Sequence, residues 1–341
     1  MLLDIENHEI KNLDAKYKEL KKNNIPMPKI KLIGIGGAGC NIIGRFKREQ
    51  QIVVDDFQNI IMIAMNTDLQ ALYENDADIK LQIGEKLTNG NGAGAKPSVG
   101  KESAKESIEE IRRVLQDTDL LFLVCGMGGG TGTGATPIVA QIAKELDIRT
   151  IAMVTTPYDY EGKIKEIYAK DGIDKLSPIV DILIPISNTK LVDMWGDQPL
   201  NEVYKNGDKI LKKDILSICD IITKPSDTNI DFADLSSVIK DARTVHIGIG
   251  KSSGEWAVYN ALMEAKGSQF DGANVKSVIV HWEYDTSKIP IKYVNDAMRM
   301  FESMLSPECN IIYGHRDNTS SKDYDVKVIL ISTGVENNEN I

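Results

Sequence analysis

Short apolar runs alternate with helical repeats of apolar positions over the first part of the chain. The runs predict strands at 31–35, 60–65, 120–125, 148–154 and 182–186. Apolar residues three and four apart predict helices between them, at 41–48, 103–115 and 138–146. Because strands joined by helices pair in parallel, with helices on both faces, we expect an α/β domain built on a parallel sheet.

The second part of the chain has a different pattern. Apolar residues repeat at helical spacing along 202–223, and Pro225 ends the repeat, which predicts one long central helix. Beyond it we predict a smaller α+β domain with strands at 244–249, 277–282, 310–313 and 326–331 and helices at 255–265 and 291–305. The expected organisation is an N-terminal helical extension (1–28), a nucleotide-binding domain (29–200), the central helix (201–224), a C-terminal domain (225–335) and a short tail (336–341).

Composition narrows the class of protein. The 341 residues are 42% apolar and 26% charged, enough for two domains with packed cores. A net charge of −10 argues against general attraction to nucleic acid or anionic lipid. No apolar run reaches the roughly 18 residues of a spanning helix, and we expect a cytoplasmic protein. The four cysteines and four histidines are scattered, which predicts neither a metal site nor disulfides.

A glycine-rich loop follows the first predicted strand. The sequence Gly34-Ile35-Gly36-Gly37-Ala38-Gly39 fits GxGxxG before a helix, where bare N–H groups can meet a phosphate. An acidic residue about twenty positions on is the further requirement of a dinucleotide site, and Asp55 or Asp56 supplies one. This loop alone is equally compatible with a nicotinamide or flavin fold and with a plain tight turn.

A second glycine loop favours a phosphate-binding interpretation over a dinucleotide fold or a plain turn. Six glycines lie in the nine residues 126–134, between a predicted strand and a helix. We interpret them as a backbone cradle for a polyanion rather than as a packing arrangement or a hinge, with Thr131 and Thr133 adding hydroxyl donors. A dehydrogenase has no need of this second cradle, and the chain lacks the P-loop motif GxxxxGK[ST]. A third cluster, Gly90, Gly92 and Gly94, can close over a terminal phosphate or be an ordinary surface loop.

Five segments together resemble one known family. They are GGAGCN at 36–41, MNTDLQAL at 65–72, QIGEKLTNGNGAGAKP at 82–97, GMGGGTGTGA at 126–135 and NIDFADL at 229–235. This combination resembles FtsZ, the prokaryotic cell-division GTPases of the tubulin superfamily, from about residue 29 to about residue 333. The resemblance implies the tubulin/FtsZ fold: a Rossmann-like GTPase domain with a parallel sheet, a long central helix and a smaller α+β C-terminal domain.

The resemblance also implies which residues bind GTP or GDP. The phosphates would lie against Gly36, Gly37, Ala38, Asn41, Ala93, Gly94, Ala95, Gly128, Gly129, Gly130, Thr131, Gly132, Thr133 and Gly134. The ribose would lie by Thr155, Pro157, Glu161 and Lys165, and the base by Asn188, Tyr204 and Asp208. The Asp208 carboxylate can accept from guanine N1–H and its 2-amino group, which adenine lacks. From the residues alone, Asn188 and Asp208 fit helix-start or turn roles equally well, and Tyr204 fits the core.

Three polar residues after the central helix are the candidate catalytic set. Asp231 and Asp234 lie three apart beside Asn229, so a helix from Phe232 onward would put both carboxylates on one face, where they could polarise a water. Helix capping is the alternative interpretation. The resemblance implies that this segment acts on the nucleotide of the next subunit in a head-to-tail filament, with Mg²⁺ on the phosphates.

The chain departs from the family pattern in three places. Lys165 stands where relatives usually have arginine, which removes the planar guanidinium. The sequence ends without the usual linker and C-terminal peptide that bind membrane tethers; either the given chain is truncated, or we expect tether and division partners to be unusual here. The Lys-rich segment 1–28 is either a docking element or a covering helix. We expect a self-assembling division filament at a midcell ring; a paralogue for DNA segregation, a scaffold without useful hydrolysis and a dinucleotide-dependent oxidoreductase are the alternatives.

Overall fold

A computed structural model describes residues 28–50, 60–223, 226–239, 244–267, 270, 272–318 and 324–334. Several predicted features lie outside the described residues: the N-terminal helix, Asp55 and Asp56, Pro225 and the short tail. The chain divides into two compact units between Lys209 and Ile210, inside one long helix. Among the described residues, no helix has the length and apolar character needed to cross a membrane.

The first unit is built on six parallel strands: β1 (Ile30–Ile35), β2 (Ile60–Asn66), β3 (Ile79–Gln82), β4 (Leu120–Gly126), β5 (Arg149–Thr156) and β6 (Ile182–Ser187). Their order in the sheet is β3-β2-β1-β4-β5-β6. The strands β1 and β2 are buried along their whole length, as expected for a sheet covered on both faces. The predicted parallel α/β architecture is confirmed.

Nine helices of this unit connect or follow the strands: α1 (Gly36–Gln50), α2 (Leu69–Tyr73), α3 (Glu85–Thr88), α4 (Pro97–Glu106), α5 (Ile108–Leu115), α6 (Thr131–Glu145), α7 (Lys163–Leu176), α8 (Asn188–Trp195) and α9 (Leu200–Thr223), the last of which continues into the second unit. The count covers the described ranges only. The core between sheet and helices includes Ile33, Leu123 and Val139, each fully buried.

The second unit holds α10 (Phe232–Ile239), β7 (Thr244–Ser252), α11 (Ala257–Lys266), β8 (Val275–Tyr284), α12 (Ile291–Glu302), β9 (Asn310–Asp317) and β10 (Val326–Gly334). The strand order is β7-β10-β8-β9, with β8 and β9 parallel and the other pairs antiparallel. Trp282 and Phe301 are fully buried in its core. The predicted smaller sheet domain is confirmed.

Three predicted elements differ in detail. The single helix expected at 103–115 is two helices, α4 and α5, separated at Ser107, whose hydroxyl accepts a hydrogen bond from Gly84 N (3.1 Å). The helices after the first two glycine loops begin earlier than predicted, at Gly36 and Thr131. Parts of both glycine loops therefore form the first turns of helices, where N–H groups have no partner within the helix.

Candidate functional site

The first two glycine loops lie side by side because their strands are neighbours. Strand β1 pairs with β4 along its length, from Ile30 opposite Leu120 to Ile35 opposite Cys125. Parallel strands end at the same edge of a sheet, so both loops leave the carboxyl edge next to each other. Ligands of doubly wound sheets bind at this edge, where the strand order reverses.

Close backbone contacts join these two loops. Gly36 has φ +73°, and a Cβ there would lie 2.7 Å from Gly132 N. Within the second loop, a Cβ on Gly132 would lie 2.5 Å from Gly126 O, and it would lie 3.4 Å from Ile35 O of the first loop. The distances of 2.7 and 2.5 Å are shorter than any ordinary carbon contact, so only glycine fits at both positions and the two loops pack closely.

Most glycines of the second loop serve packing, which corrects the sequence-based interpretation. A Cβ would come within 2.8 Å of another residue at five of the six positions, namely Gly126, Gly128, Gly130, Gly132 and Gly134. Only Gly129 would place a Cβ in open space. The prediction that these glycines do not serve packing is therefore wrong at five of the six positions. The close approach of helix, strand and loop backbones explains the run.

Two buried threonines stabilise this loop through hydrogen bonds of their side chains. Thr131 and Thr133 are 7% and 3% exposed. Thr131 Oγ1 lies 2.7 Å from Thr67 Oγ1, and Thr133 Oγ1 accepts a hydrogen bond from Gly128 N at 2.8 Å. Their hydroxyls thus hold the loop against the end of β2 and against its own start.

The third glycine cluster packs on the second loop. A Cβ on Gly130 would lie 2.8 Å from Ala93 Cβ and 2.9 Å from Lys96 N. Gly92 N donates to Thr67 O at 3.2 Å, which ties the segment to the end of β2. Ala93 is buried, whereas Gly94 and Ala95 are exposed. The structure therefore brings all three loops together.

Few atoms of these loops face solvent. Gly37, Ala38 and Asn41 are exposed at the start of α1, and Gly94 and Ala95 are exposed in the third loop. Apart from the adjoining backbone, no described atom lies within 4 Å of a Cβ built on Gly37, Gly94 or Gly129. Each of the three loops therefore has an open backbone segment that a polyanion can approach.

The predicted ribose residues lie at the end of β5 and directly after it. Met127 N donates to Thr155 O at 2.8 Å, which joins this strand end to the second loop. Glu161 accepts from Tyr158 N (3.0 Å) and from Lys165 Nζ (2.7 Å). Burial would raise the pKa of the Glu161 carboxyl, but these two donors outweigh it and hold the pKa below its usual range. Glu161 is therefore an ionised hydrogen-bond acceptor. Pro157, four residues earlier in the chain, is half-buried.

The predicted base residues lie on α8 and α9. Tyr204 is 41% exposed, and its ring lies 6.3 Å from that of buried Tyr158 in an edge arrangement. Tyr160 stacks on the same Tyr158 ring at 5.1 Å. Asn188, half-buried, begins α8 directly after β6. An aromatic surface thus stands at this end of the sheet edge, where a planar base can stack.

Arg45 is a functional candidate that the sequence analysis missed. Asp208 is 6% exposed and forms a two-point ion pair with Arg45, through Nη2 to Oδ1 (2.9 Å) and through Nε to Oδ2. A planar guanidinium fixes the orientation of a carboxylate. In the sequence, Arg45 is recognisable only as an arginine one helical turn after Asn41. No sequence pattern links Arg45 to Asp208, which lies 163 positions away.

The candidate catalytic acids lie in the second unit, at the start of α10. Asp231 N donates to Asp234 Oδ2 (3.0 Å), and Asp234 N donates to Asp231 Oδ1 (2.8 Å). Asn229 Oδ1 accepts from Ser226 N at 2.8 Å. This reciprocal pair is a helix-capping arrangement. Asp231 is exposed and Asp234 half-buried, so the cap still presents carboxylate oxygens to solvent.

No group of three or more His, Cys, Asp or Glu residues suited to a metal ion occurs in the described part of the chain. Mg²⁺ in nucleotide sites is commonly held by substrate phosphates and water with one or two carboxylates. The open loops described above fit such a phosphate-bound ion and do not form a metal cage of their own.

The strand order, the paired glycine loops and the aromatic surface at one sheet edge define a doubly wound nucleotide-binding protein. The family model for the GTPase domain of the tubulin/FtsZ family matches residues 29–196. Cell division protein FtsZ of Mycoplasmopsis pulmonis is 37% identical over 321 residues, covering 93% of this chain and 80% of that protein. FtsZ 1 of Methanocaldococcus jannaschii is also 37% identical, covering 90% and 83%. The chain belongs to the tubulin/FtsZ family.

Solved structures agree with this assignment. An FtsZ dimer from M. jannaschii superposes with a TM-score of 0.74 at 35% identity, covering 94% of this chain and 92% of that one. CetZ2 from Haloferax volcanii, solved as a GTPγS-bound protofilament, superposes with a TM-score of 0.71 at 20% identity, covering 91% and 94%. At that identity CetZ2 shows the shared fold alone.

Proposed function

We propose that the chain is a GTPase that binds GTP and GDP at the carboxyl edge of the first sheet. The observation that carries this proposal is the convergence of three loops, which leaves Gly37, Gly94 and Gly129 facing open space. Their N–H groups, with those of Ala38 and Ala95, would hold the phosphates. The family assignment supports guanine nucleotides as the ligand.

Selectivity for guanine would come from Asp208. Its carboxylate, fixed by Arg45, would accept hydrogen bonds from guanine N1–H and the 2-amino group. Tyr204 would stack on the base, and Asn188 would contact its other polar edge. Glu161, held ionised by Lys165, would accept from the ribose hydroxyls.

Hydrolysis would be completed by a second copy of the chain. The phosphate loops belong to the first unit, while Asn229, Asp231 and Asp234 belong to the second. Head-to-tail stacking would let the acids of one subunit polarise water beside the nucleotide of the next. The dimer structure of FtsZ from M. jannaschii supports such self-association. Mg²⁺, bound mainly through the β- and γ-phosphates, would neutralise their charge.

We infer that the filament serves cell division. Three curated relatives, from M. pulmonis, M. jannaschii and Thermococcus kodakarensis, are cell division proteins at 37% identity. A cytoplasmic location at a midcell ring and contacts with division or membrane-tether proteins belong to the same proposal. A filament for DNA segregation or scaffolding would use the same residues.

Nucleotide binding and assembly test this proposal together. The purified protein should retain GTP and GDP but not ATP or NAD(H). Electron microscopy should show filaments with GTP and Mg²⁺ and few or none with GDP. Retention of NAD(H) in place of guanine nucleotides would reject the proposal, and GTP binding without filaments would reject its polymerisation part.

A further inference from the structure

The segment that carries the candidate catalytic residues rests on the edge strand β9. Thr228 N donates to His315 O (3.0 Å), and His315 N donates to Thr228 O (3.2 Å), forming an isolated antiparallel bridge. Strand β9 pairs with β8 on its other side and ends the sheet order. An edge strand has free N–H and C=O groups, and here the segment uses them.

A buried side chain anchors the same segment between its polar residues. Ile230, which lies between Asn229 and Asp231, is only 3% exposed. A Cβ on Gly314 would lie 2.3 Å from Ile230 Cδ1, so the glycine in β9 makes room for this side chain. The backbone on either side of Ile230 is thereby held against the strand.

Polar contacts hold the start of the segment. Ser226 Oγ lies 3.2 Å from Nε2 of buried His281 on β8. Asp317 N, at the end of β9, donates to Asp227 Oδ2 at 2.8 Å. Main chain and side chains of the sheet therefore fix the segment at several successive residues.

Beside this contact lies a buried cluster of four charged residues, Asp220, Glu283, Arg316 and Lys327. Arg316, Glu283 and Lys327 are side by side on β9, β8 and β10, and Asp220 comes from α9. Lys327 Nζ lies 2.5 Å from Asp220 Oδ2 and 3.3 Å from Glu283 Oε2. Arg316 Nη1 lies 3.3 Å from Glu283 Oε2. All four side chains are 9–13% exposed.

The charges in this cluster balance. Burial would raise the pKa of Glu283, but Lys327, the Tyr324 hydroxyl and Arg316 outweigh it and lower that pKa. Burial and the neighbouring Arg316 lower the pKa of His281 to about 4, so this imidazole adds no charge at neutral pH. Two cations thus face two carboxylates, and removing one member would leave a buried charge unpaired.

Arg316 also contacts the main chain of α9. Its Nη2 donates to the backbone carbonyl of Asp220 at 2.8 Å. Asp220 lies in the last four residues of α9, whose carbonyls have no partner within the helix. Arg316 therefore holds the end of the helix that precedes the segment, while its neighbours His315 and Asp317 bond the segment itself.

We propose that Arg316 is a positioning residue for hydrolysis, which fixes the Asn229–Asp234 segment relative to the end of α9 and to β9. This inference rests on the proposed role of that segment in hydrolysing the nucleotide of a neighbouring subunit. Small displacements of reacting groups cost large factors in rate. Loss of Arg316 therefore slows turnover in assembled protein and leaves GTP binding, which depends on the first unit, unchanged.

Three variants of the full chain test this role. Arg316→Met removes both the charge and the hydrogen bond to the Asp220 carbonyl. Arg316→Met with Asp220→Asn restores the charge balance without restoring that hydrogen bond. Lys327→Met with Glu283→Gln is the matched control, which removes one charge pair and leaves Arg316 and Asp220 in place. The readouts are kcat per assembled subunit, GTP affinity and melting temperature.

We expect kcat to fall about tenfold to a hundredfold in both Arg316 variants, with GTP affinity at the parental value. The charge-balanced Arg316 variant regains melting temperature but not kcat, and the control keeps parental kcat. Parental kcat in Arg316→Met, or recovery of kcat together with melting temperature in the balanced variant, overturns the inference.

Asp231→Ala, measured beside these variants, distinguishes the catalytic role of the segment from the positioning role of Arg316. If Asp231→Ala turns over GTP at the parental rate, the proposed catalytic role of the segment fails. If Asp231→Ala is inactive while Arg316→Met is fully active, only the positioning role of Arg316 fails.

Discussion

The phosphate loops of the first unit and the acid segment of the second differ in how their geometry is fixed. The loops are held by backbone packed on backbone, with glycine required where Gly36 meets Gly132 and Gly132 meets Gly126. The acid segment is held by a main-chain bridge to β9, by the side chain of His281 on β8 and by its own buried Ile230. The candidate functional groups are main-chain N–H groups in the phosphate loops and carboxylates in the acid segment. A glycine motif in the sequence therefore predicts the packed loops, whereas the contacts that hold the acid segment leave no comparable motif.

The largest expected effect is at Asp234. The change Asp234→Asn removes the negative charge but keeps an oxygen that can accept from Asp231 N. We expect turnover to fall by about a hundredfold or more, the scale of general acid–base catalysis, while melting temperature and GTP affinity stay parental. Steady-state phosphate release and GTP titration measure this.

Asp234→Ala is the matched comparison, because it also removes the capping acceptor. It should lose turnover to the same extent and additionally lose about 1 kcal/mol of stability. If Asp234→Asn hydrolyses GTP normally, the capping role is the whole role of this residue.

The next effect concerns base recognition. Asp208→Ala should weaken GDP binding about tenfold or more, because the paired donors of guanine lose their acceptor and the Arg45 guanidinium loses its partner. Arg45→Gln should weaken binding less, since the acceptor remains. Competition titrations with GDP and ADP measure both, and equal GDP affinity of Asp208→Ala and the parent would refute the base-reading role.

Two neighbouring glycines give a paired test of the first region. Gly36→Ala is strained by φ +73° and by the contact with Gly132 N, and should destabilise the fold by about 1–3 kcal/mol. Gly37→Ala points into open space and should keep the melting temperature while lowering GTP affinity about tenfold, because the methyl group occupies the phosphate position. Thermal unfolding and GTP titration separate them. Parental GTP affinity in Gly37→Ala would remove this residue from the phosphate site.

The smallest expected effect is at Lys165. Lys165→Arg keeps the charge that pairs with Glu161 and adds a planar guanidinium. We expect GTP affinity to change by only about twofold to fivefold, in the direction of tighter binding. Lys165→Met, which leaves Glu161 without its ion pair, is the control and should weaken binding. A tighter Lys165→Met variant would contradict the assigned geometry.

Much of the fold follows from the sequence for a simple reason. Buried strands such as β1 and β4 are largely apolar runs, and glycine loops mark their ends. Strand β3 was missed because Ile79–Gln82 is only four residues long and alternates in burial. The break at Ser107 was missed because the contact that distinguishes this residue, the hydrogen bond from Gly84 N to its hydroxyl, joins residues 23 apart.

The candidate site was predictable to the extent that it is local in sequence. The phosphate loops are contiguous motifs, although the reason for most of their glycines was misjudged. Arg45 with Asp208, and Arg316 with Asp220, are pairs separated by 163 and 96 positions. Spacing along the chain carries no information about such pairs, because only the folded sheet brings them together.

Mixing two impaired variants shows whether one GTPase site is built from two subunits. Asp234→Asn keeps an intact nucleotide site, and Asp208→Ala keeps intact acids. At a GTP concentration that saturates the first variant but not the second, each alone should turn over GTP slowly. In mixed filaments, some contacts join the intact nucleotide site of one variant to the intact acids of the other. The account predicts that the mixture hydrolyses GTP well above the sum of the two separate rates. A mixture that only equals that sum, although both variants enter the same filaments, would contradict hydrolysis completed between subunits.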